Sequence, residues 1–248
     1  MHLPFAPPLD VRRHLLGIAV ALLSACSSTT SSTNLDTAGF HVTFFVVNYA
    51  PEPVRAVAVF RVGDESGSYL ELVGGDGISV DGSALRPVDS VLPSDDLAAP
   101  GWIGLRYEGE VGPVPGHVFT FTRDGEPPVT RAVSEGRAPS PTVDGLSTAT
   151  ASFAAPVAVS WTPVADSTVS VVAVSADTMH CSSLTLASGI ADVGVYSLEA
   201  ARLRPADITA TCSFRVTVVR THDEPIGAPF RGGALRTIAS GSMELTLR

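Results

Sequence analysis

The sequence predicts an all-β protein built from two antiparallel β-sandwich modules. Short runs rich in Val, Thr, Phe and Tyr recur along the chain, and many of them alternate between apolar and polar residues. Breaks rich in Gly, Pro and Asp separate these runs, which is typical of strands joined by turns. Long helical runs do not alternate with the strands, so a parallel α/β sheet is not expected.

The strand-like runs fall into two groups on either side of residues 135–142. That segment carries two prolines and has no periodicity, so it is the best candidate for a boundary. We expect a first module at residues 38–137 and a second at 138–248, each long enough to bury a sandwich core. The clearest runs lie at residues 41–47, 54–62, 69–73, 78–80, 102–107, 117–123, 157–161, 168–174, 208–219 and 242–247.

The first 25 residues have the pattern of a signal peptide. The basic pair Arg12-Arg13 precedes a short apolar run at residues 15–23, whereas a membrane-spanning helix needs about 20 apolar residues. The tetrad Leu23-Ser-Ala-Cys26 then resembles the bacterial lipobox, in which signal peptidase II cuts before the cysteine. The resemblance implies that Cys26 is lipidated with a diacylglycerol thioether. The alternative is an ordinary secretory signal with a chance cysteine at the cleavage point.

Residues 26–37 are predicted to be the lipidated cysteine and a flexible tether. The stretch from Ser27 to Asn34 contains only Ser, Thr and Asn, with no charge and no apolar side chain. Acyl chains would hold the folded part on a bilayer without a spanning helix. We expect a lipid-anchored protein of the cell envelope, and Ser27 favours the outer membrane, facing the periplasm or the cell surface.

The two cysteines left after lipidation, Cys181 and Cys212, are expected to form a disulfide. Exported proteins meet an oxidising compartment, where two remaining cysteines usually pair. A zinc site would need further ligands, and only His180 and His222 are candidates. A catalytic thiol is the other alternative, although a cysteine with an available partner is readily oxidised.

Composition excludes several kinds of chemistry. All 16 basic residues are arginine, so lysine-dependent phosphate loops, Schiff bases and pyridoxal enzymes are ruled out. The formal net charge of −9 argues against nucleic acid as a partner. No cofactor is expected, and no Gly-x-Ser-x-Gly motif marks a nucleophile.

Two short segments invite comparison with metal sites. Gly74-Gly-Asp-Gly-Ile-Ser-Val-Asp81 resembles one copy of a calcium-binding nonapeptide, but Ser79 replaces its aspartate, so a Gly-rich hairpin turn is expected. His222-Asp-Glu224 is expected to be a solvated turn, with a divalent metal site as the alternative. Trp102 and Tyr107 point to opposite faces of one run, so they do not form a sugar-binding platform together. Paired carboxylates for glycoside hydrolysis stay open, since their separation depends on the fold.

The second half of the chain carries a set of short motifs that together point to a known family. They are 119–126, Ser160-Trp-Thr-Pro163, Cys181, Gly194-Val-Tyr196, Cys212, 215–220, Gly227-Ala-Pro-Phe230 and Arg231-Gly-Gly233. With these motifs the chain resembles modules in uncharacterised lipoproteins of the myxobacterial type, with tandem immunoglobulin-like β-sandwiches. The likeness covers about residues 100–248 and implies β-sandwich modules on a lipid anchor, without an activity. Trp161 precedes both remaining cysteines, so immunoglobulin-like describes the architecture alone.

These observations predict a membrane-anchored protein that is not an enzyme and that acts by binding or in an envelope assembly. Its expected partners are the membrane, through the lipid, and an unknown envelope protein or surface ligand. The alternative is a carbohydrate-binding protein or hydrolase whose site is built from loops at one end of a sandwich.

Overall fold

The computed structural model describes residues 29–49, 52–90, 104–175, 177, 181–203 and 211–248. The prediction of an all-β protein made of packed sheets is confirmed. Within the described ranges, the helical elements are three short 3₁₀ turns at Ser32–Asn34, Thr37–Gly39 and Ala200–Leu203. The first ten strands are β1 (Thr29–Ser31), β2 (Phe40–Tyr49), β3 (Arg55–Val62), β4 (Tyr69–Glu71), β5 (Gly77–Val80), β6 (Ser83–Ala84), β7 (Arg86–Ser90), β8 (Gly104–Glu110), β9 (Gly116–Thr122) and β10 (Val129–Ser134). The second half adds β11 (Thr148–Ala151), β12 (Val157–Ser160), β13 (Ser167–Ser175), β14 (Leu184–Ala191), β15 (Val195–Leu198), β16 (Cys212–Pro225) and β17 (Gly232–Leu247).

The long C-terminal strand β17 joins the two halves into one sheet. Along one edge it pairs antiparallel with β16, from Ala234 opposite Pro225 to Leu247 opposite Cys212. Along the other edge its first part pairs in parallel with β2, from Gly232 opposite His41 to Ser240 opposite Tyr49. Its end pairs in parallel with β11 on that same side. The result is an 11-stranded sheet in the order β1-β4-β3-β2-β17-β16-β13-β14, with β11, β7 and β8 off that path.

The parallel pairings differ from the fully antiparallel modules expected from the sequence. They join segments that are far apart in the chain or linked by long connections, and such connections allow parallel neighbours. Two smaller sheets cover the large one. The four-stranded sheet has the order β10-β9-β5-β6, and β12 pairs with β15 in a two-stranded sheet.

Each half encloses its own hydrophobic core. The first core packs β2 and β3 against the four-stranded sheet, and Phe44 stacks on Phe119 with ring centroids 4.6 Å apart. The second core surrounds Trp161 and the two remaining cysteines. The predicted boundary between residues 137 and 138 separates the residues of these two cores, with three exceptions. Ile226, Phe230 and Leu235 come from the second half but are buried in the first core.

The start of the described chain is packed, which corrects the expectation of a flexible tether through residue 37. β1 pairs in parallel with β4, and Ser32 is fully buried. The Ser32 hydroxyl accepts a hydrogen bond from the Val73 N–H at 3.1 Å, and its carbonyl accepts one from Arg123 at 2.6 Å. Short hydroxyl side chains can be buried when such bonds satisfy them, and composition alone does not reveal the partners.

Candidate functional site

The predicted disulfide between Cys181 and Cys212 is present. The two sulfur atoms are 2.06 Å apart and the Cα atoms 5.9 Å apart. The bridge ties the segment before β14 to the first residue of β16, and both cysteines are buried in the second core. Cys26, predicted to be lipidated, lies outside the described residues.

The histidines do not come together. His41, His117 and His222 lie on β2, β9 and β16, and His180 lies outside the described residues. At the segment 222–224, the His222 Nε2 atom lies 3.3 Å from the Glu224 carboxylate, while Asp223 binds Arg236. Across the described parts of the chain, no three His, Cys, Asp or Glu side chains are grouped to hold a metal ion.

The Gly-rich segment at residues 74–81 is not the expected hairpin turn: its first residues form a turn, and Gly77–Val80 form β5. It carries the chain from β4 in the large sheet to β5 in the four-stranded sheet. Gly74 and Gly75 have φ angles of +66° and +98°, which glycine adopts without steric cost. The hairpin turn lies just beyond, at Asp81-Gly82 between β5 and β6.

A cleft of about 340 Å³ lies where this turn passes between the two sheets. Polar groups from Glu71, Asp76 and Ser79 share its lining with apolar side chains, and this combination is typical of small-molecule sites. The complete lining is Glu71, Leu72, Asp76, Gly77, Ile78, Ser79, Ala84, Leu85, Pro87, Tyr107 and Thr122.

Asp76 is the most unusual group in this cleft. Its side chain is only 5% exposed, and its Oδ1 atom lies 3.5 Å from the Arg123 Nε atom. Its Oδ2 atom is buried and has no hydrogen-bond partner among the described residues. Burying an acceptor without a partner is costly, so buried carboxylate oxygens are normally satisfied. A donor in the cleft would remove this cost.

Arg123 is held from several directions at once. It donates to the Ser32 carbonyl at 2.6 Å and to the Thr37 hydroxyl at 3.1 Å. Its guanidinium also lies over the Phe40 ring, 5.3 Å from the centroid. These contacts fix the arginine beside one oxygen of Asp76 and tie the start of the described chain to the cleft.

Tyr107 also lines the cleft. Its oxygen accepts the Leu72 N–H at 2.7 Å, so the phenolic hydrogen can be donated elsewhere. Burial, and to a lesser degree the charge of Glu71, raises the pKa of Tyr107 above its usual value, although the Leu72 bond acts in the opposite direction. The hydroxyl is therefore protonated at neutral pH. Tyr107 is buried in the first core, whereas Trp102 lies outside the described residues, so the prediction that the two point to opposite faces is not tested.

A second polar pair, His117 and Asp81, lies on the same small sheet. The His117 side chain is fully buried, and its Nδ1 atom is 2.7 Å from the Asp81 carboxylate. The other ring nitrogen, Nε2, has no partner in the part of the chain that the structure describes. Burial alone would raise the pKa of Asp81, but hydrogen bonds from His117 and from the Val118 N–H lower it below its usual value. A serine hydroxyl lies beside a different histidine: the Ser167 hydroxyl is 3.5 Å from the His222 Nδ1 atom.

Sequence analysis compared residues 74–81 with a calcium motif, but it did not predict the contacts of Asp76 with Arg123 or of Asp81 with His117. The available signal for Asp76 was its position between two glycines, where a carboxylate is held in a tight turn. For the other residues, the partners lie 36 or more positions apart in the chain, so only the folded structure brings them together.

Comparisons with protein-family models and with curated proteins give no match for this sequence. Among solved structures, the chain is similar to the crystal structure of the chicken CNTN1 FN1–FN3 domains, with 7% identity and a TM-score of 0.25. That similarity covers 84% of this chain and 64% of the chicken chain. No helix in the described parts of the chain is long and apolar enough to cross a membrane.

Proposed function

We propose that the protein is a lipid-anchored, non-enzymatic binding protein of the cell envelope. The observation that carries the anchoring is the tetrad Leu23–Cys26 after a basic pair and a short apolar run. Lipid on Cys26 would make the membrane its first partner, and the outer membrane is the favoured location. The second partner is an envelope protein or surface ligand bound by the folded part.

The short distance between Cys26 and β1 adds a constraint to this proposal. β1 begins at Thr29, three residues after the cysteine, and three trans peptide units span at most about 11 Å. An acyl group on Cys26 would therefore hold the β1–β4 edge of the large sheet close to the bilayer surface. The folded part would act at the membrane instead of at the end of a long tether.

The cleft beside this edge supports recognition as the activity. Asp76 presents a buried acceptor without a partner, and β4 contributes both to the cleft lining and to the pairing with β1. The described histidines, which an acid–base mechanism would use, lie on three separate strands. Binding of a ligand needs only the cleft and the acceptor that Asp76 provides, and it does not need a histidine.

Carbohydrate recognition or hydrolysis is the second candidate function, because Glu71 and Asp76 line the same cleft. Two carboxylates on either side of a glycosidic bond are the usual requirement for its hydrolysis. Hydrolysis of a glycan panel by the wild-type protein, lost in Asp76→Asn, would favour this candidate over the binding protein.

Metabolic labelling with a palmitate analogue in a bacterial host tests the anchoring. The wild-type chain should incorporate the label on its N-terminal peptide, and Cys26→Ser should not. Ser27→Ala keeps the thiol and should be labelled as strongly as the wild type. An unlabelled wild-type chain, or equal label in the serine variant, would overturn the lipid anchor.

A further inference from the structure

We infer that the cleft between β4, β5 and β8 binds a small ligand that carries a primary ammonium group beside an apolar body. The inference rests on the proposed binding function and specifies its ligand class. It depends on the position and partners of Asp76, on the balance of charge around the cleft, and on the apolar residues of its lining.

Asp76 supplies the anchoring acceptor. Because Asp76 lines the cleft, its side chain is 5% exposed and Oδ2 has no partner among the described residues, the structure leaves a desolvated carboxylate in the cleft wall. An ammonium group offers three donors and a full positive charge, and a charge-assisted bond to a carboxylate is stronger than one between neutral groups. A ligand carboxylate or phosphate would meet repulsion at the same place.

The local charge balance also favours a cation. Glu71 and Asp76 both line the cleft, while Arg123 is the cation beside Asp76. Arg123 is already bound to the carbonyl of Ser32 and lies 3.9 Å from the Glu126 carboxylate, so its charge is shared. The cleft therefore keeps an excess of negative charge.

The rest of the lining suits a compact apolar body with one further polar group. Leu72, Ile78, Leu85 and Pro87 provide the apolar surface. The hydroxyl of Tyr107 can donate to an acceptor on the ligand, since its oxygen already accepts the Leu72 N–H. A volume of about 340 Å³ is at the small end of ligand sites and suits a compact ligand.

The test uses the full chain purified in a non-ionic detergent and three probes of similar shape: benzylammonium, benzyl alcohol and benzoate. Binding is followed by the amide shifts of cleft residues in a ¹⁵N-labelled sample. Benzylammonium should shift Gly77 and Thr122, benzyl alcohol should act more weakly, and benzoate should leave these amides unchanged. Asp76→Asn should weaken the binding of benzylammonium about tenfold, because the charge-assisted bond is lost.

Asp144→Asn is the matched control, since it makes the same chemical change at an exposed turn of the other half. It should bind benzylammonium as the wild type does. The probe partitions into detergent micelles equally in the samples of the wild type, Asp76→Asn and Asp144→Asn, so partitioning does not affect their comparison. Equal affinity for the amine and the alcohol, or unchanged affinity in Asp76→Asn, would overturn the inference. Preference for a neutral sugar would overturn the ligand class while leaving the proposed binding function intact. Loss of palmitate labelling would affect the anchor alone.

Discussion

The guanidinium of Arg220 and the carboxylate of Asp192 form an ion pair inside the second half, with Nε and Oδ2 2.6 Å apart. Neither side chain is more than 3% exposed. Asp192 also accepts the Trp161 ring N–H at 2.7 Å and the Val164 N–H at 3.0 Å. Arg220 donates to the carbonyls of Arg137 and Thr162 as well. One buried pair thus connects β16 of the large sheet to the β14–β15 turn and to the segment between the two halves.

Removing the negative partner should destabilise the fold strongly. In Asp192→Asn the buried guanidinium loses its counter-charge, and breaking such a pair costs about 3–5 kcal/mol. Urea unfolding followed by circular dichroism measures this free energy. Asp223→Asn is the control, because Asp223 binds Arg236 with similar geometry but both side chains are at least 31% exposed. That exposed pair should contribute no more than about 1 kcal/mol. Equal losses in the two variants would contradict the role assigned to burial.

The disulfide should stabilise the fold mainly by lowering the conformational entropy of the unfolded chain. Cys181 and Cys212 are 31 residues apart, and closing a loop of that length contributes about 3.7 kcal/mol in the chain-entropy model. The double variant Cys181→Ala/Cys212→Ala should lose about that much, and reductant should lower the wild-type urea midpoint but not that of the variant. A wild-type midpoint that does not respond to full reduction would contradict this contribution.

The sequence predicted the strands well and their partners poorly. The runs at 41–47, 54–62 and 117–123 became β2, β3 and β9, because period-two alternation reports burial on one face of a strand. The parallel pairing of β17 with β2 joins opposite ends of the chain, and no local pattern encodes that choice. The spacing of Leu and Ala at residues 197–203, ahead of Pro205, favours a short helix, but β15 takes the first of these residues and only Ala200–Leu203 forms a 3₁₀ turn.

The candidate site was less predictable than the fold. The sequence correctly paired Cys181 with Cys212, because the expected lipidation of Cys26 left these two cysteines as the pair. Asp76 looked like one more polar residue in a turn, and the absence of a described donor for its Oδ2 atom depends on how two sheets pack. The Asp192–Arg220 pair had no sequence signal either, because an aspartate after a strand is usually exposed.

Acid should destabilise the protein partly through Asp81. Its pKa in the folded state is lowered: burial acts in the opposite direction, but the bonds from His117 and Val118 outweigh it. A carboxylate with a lowered folded pKa stabilises the fold above its unfolded pKa, about 3.9, and this contribution is lost as the pH falls through the folded value. The stability difference between wild type and Asp81→Asn should therefore be largest near neutral pH and shrink on acidification below pH of about 4.

Asparagine suits position 81 because the backbone there has a φ of +48°, a conformation that Asn tolerates. Asp166→Asn is the control, at a φ of +57° and without a histidine bound to its carboxylate. Unfolding midpoints measured from neutral pH to pH 2.5 compare the three proteins. A constant difference between wild type and Asp81→Asn over that range would contradict the assigned linkage.

Gly241 should tolerate no side chain, because the segment between the two halves crosses β17 at this residue. A Cβ atom added to Gly241 would lie 1.8 Å from the Pro139 carbonyl oxygen and 3.3 Å from the Pro141 ring. Neither neighbour can rotate away, since the first is backbone and the second is a closed ring, so β17 or the crossing segment must shift. Overpacking of this kind costs about 1–3 kcal/mol, and Gly241→Ala should lower the urea midpoint accordingly. Gly112→Ala is the matched control, because its Cβ meets nothing within 4 Å, and it should be as stable as the wild type or slightly more so. If Gly241→Ala were as stable as Gly112→Ala, the crossing segment would not be packed against β17. The hydrogen bond from Arg220 to the Arg137 carbonyl would then have to form independently of the packing at Gly241.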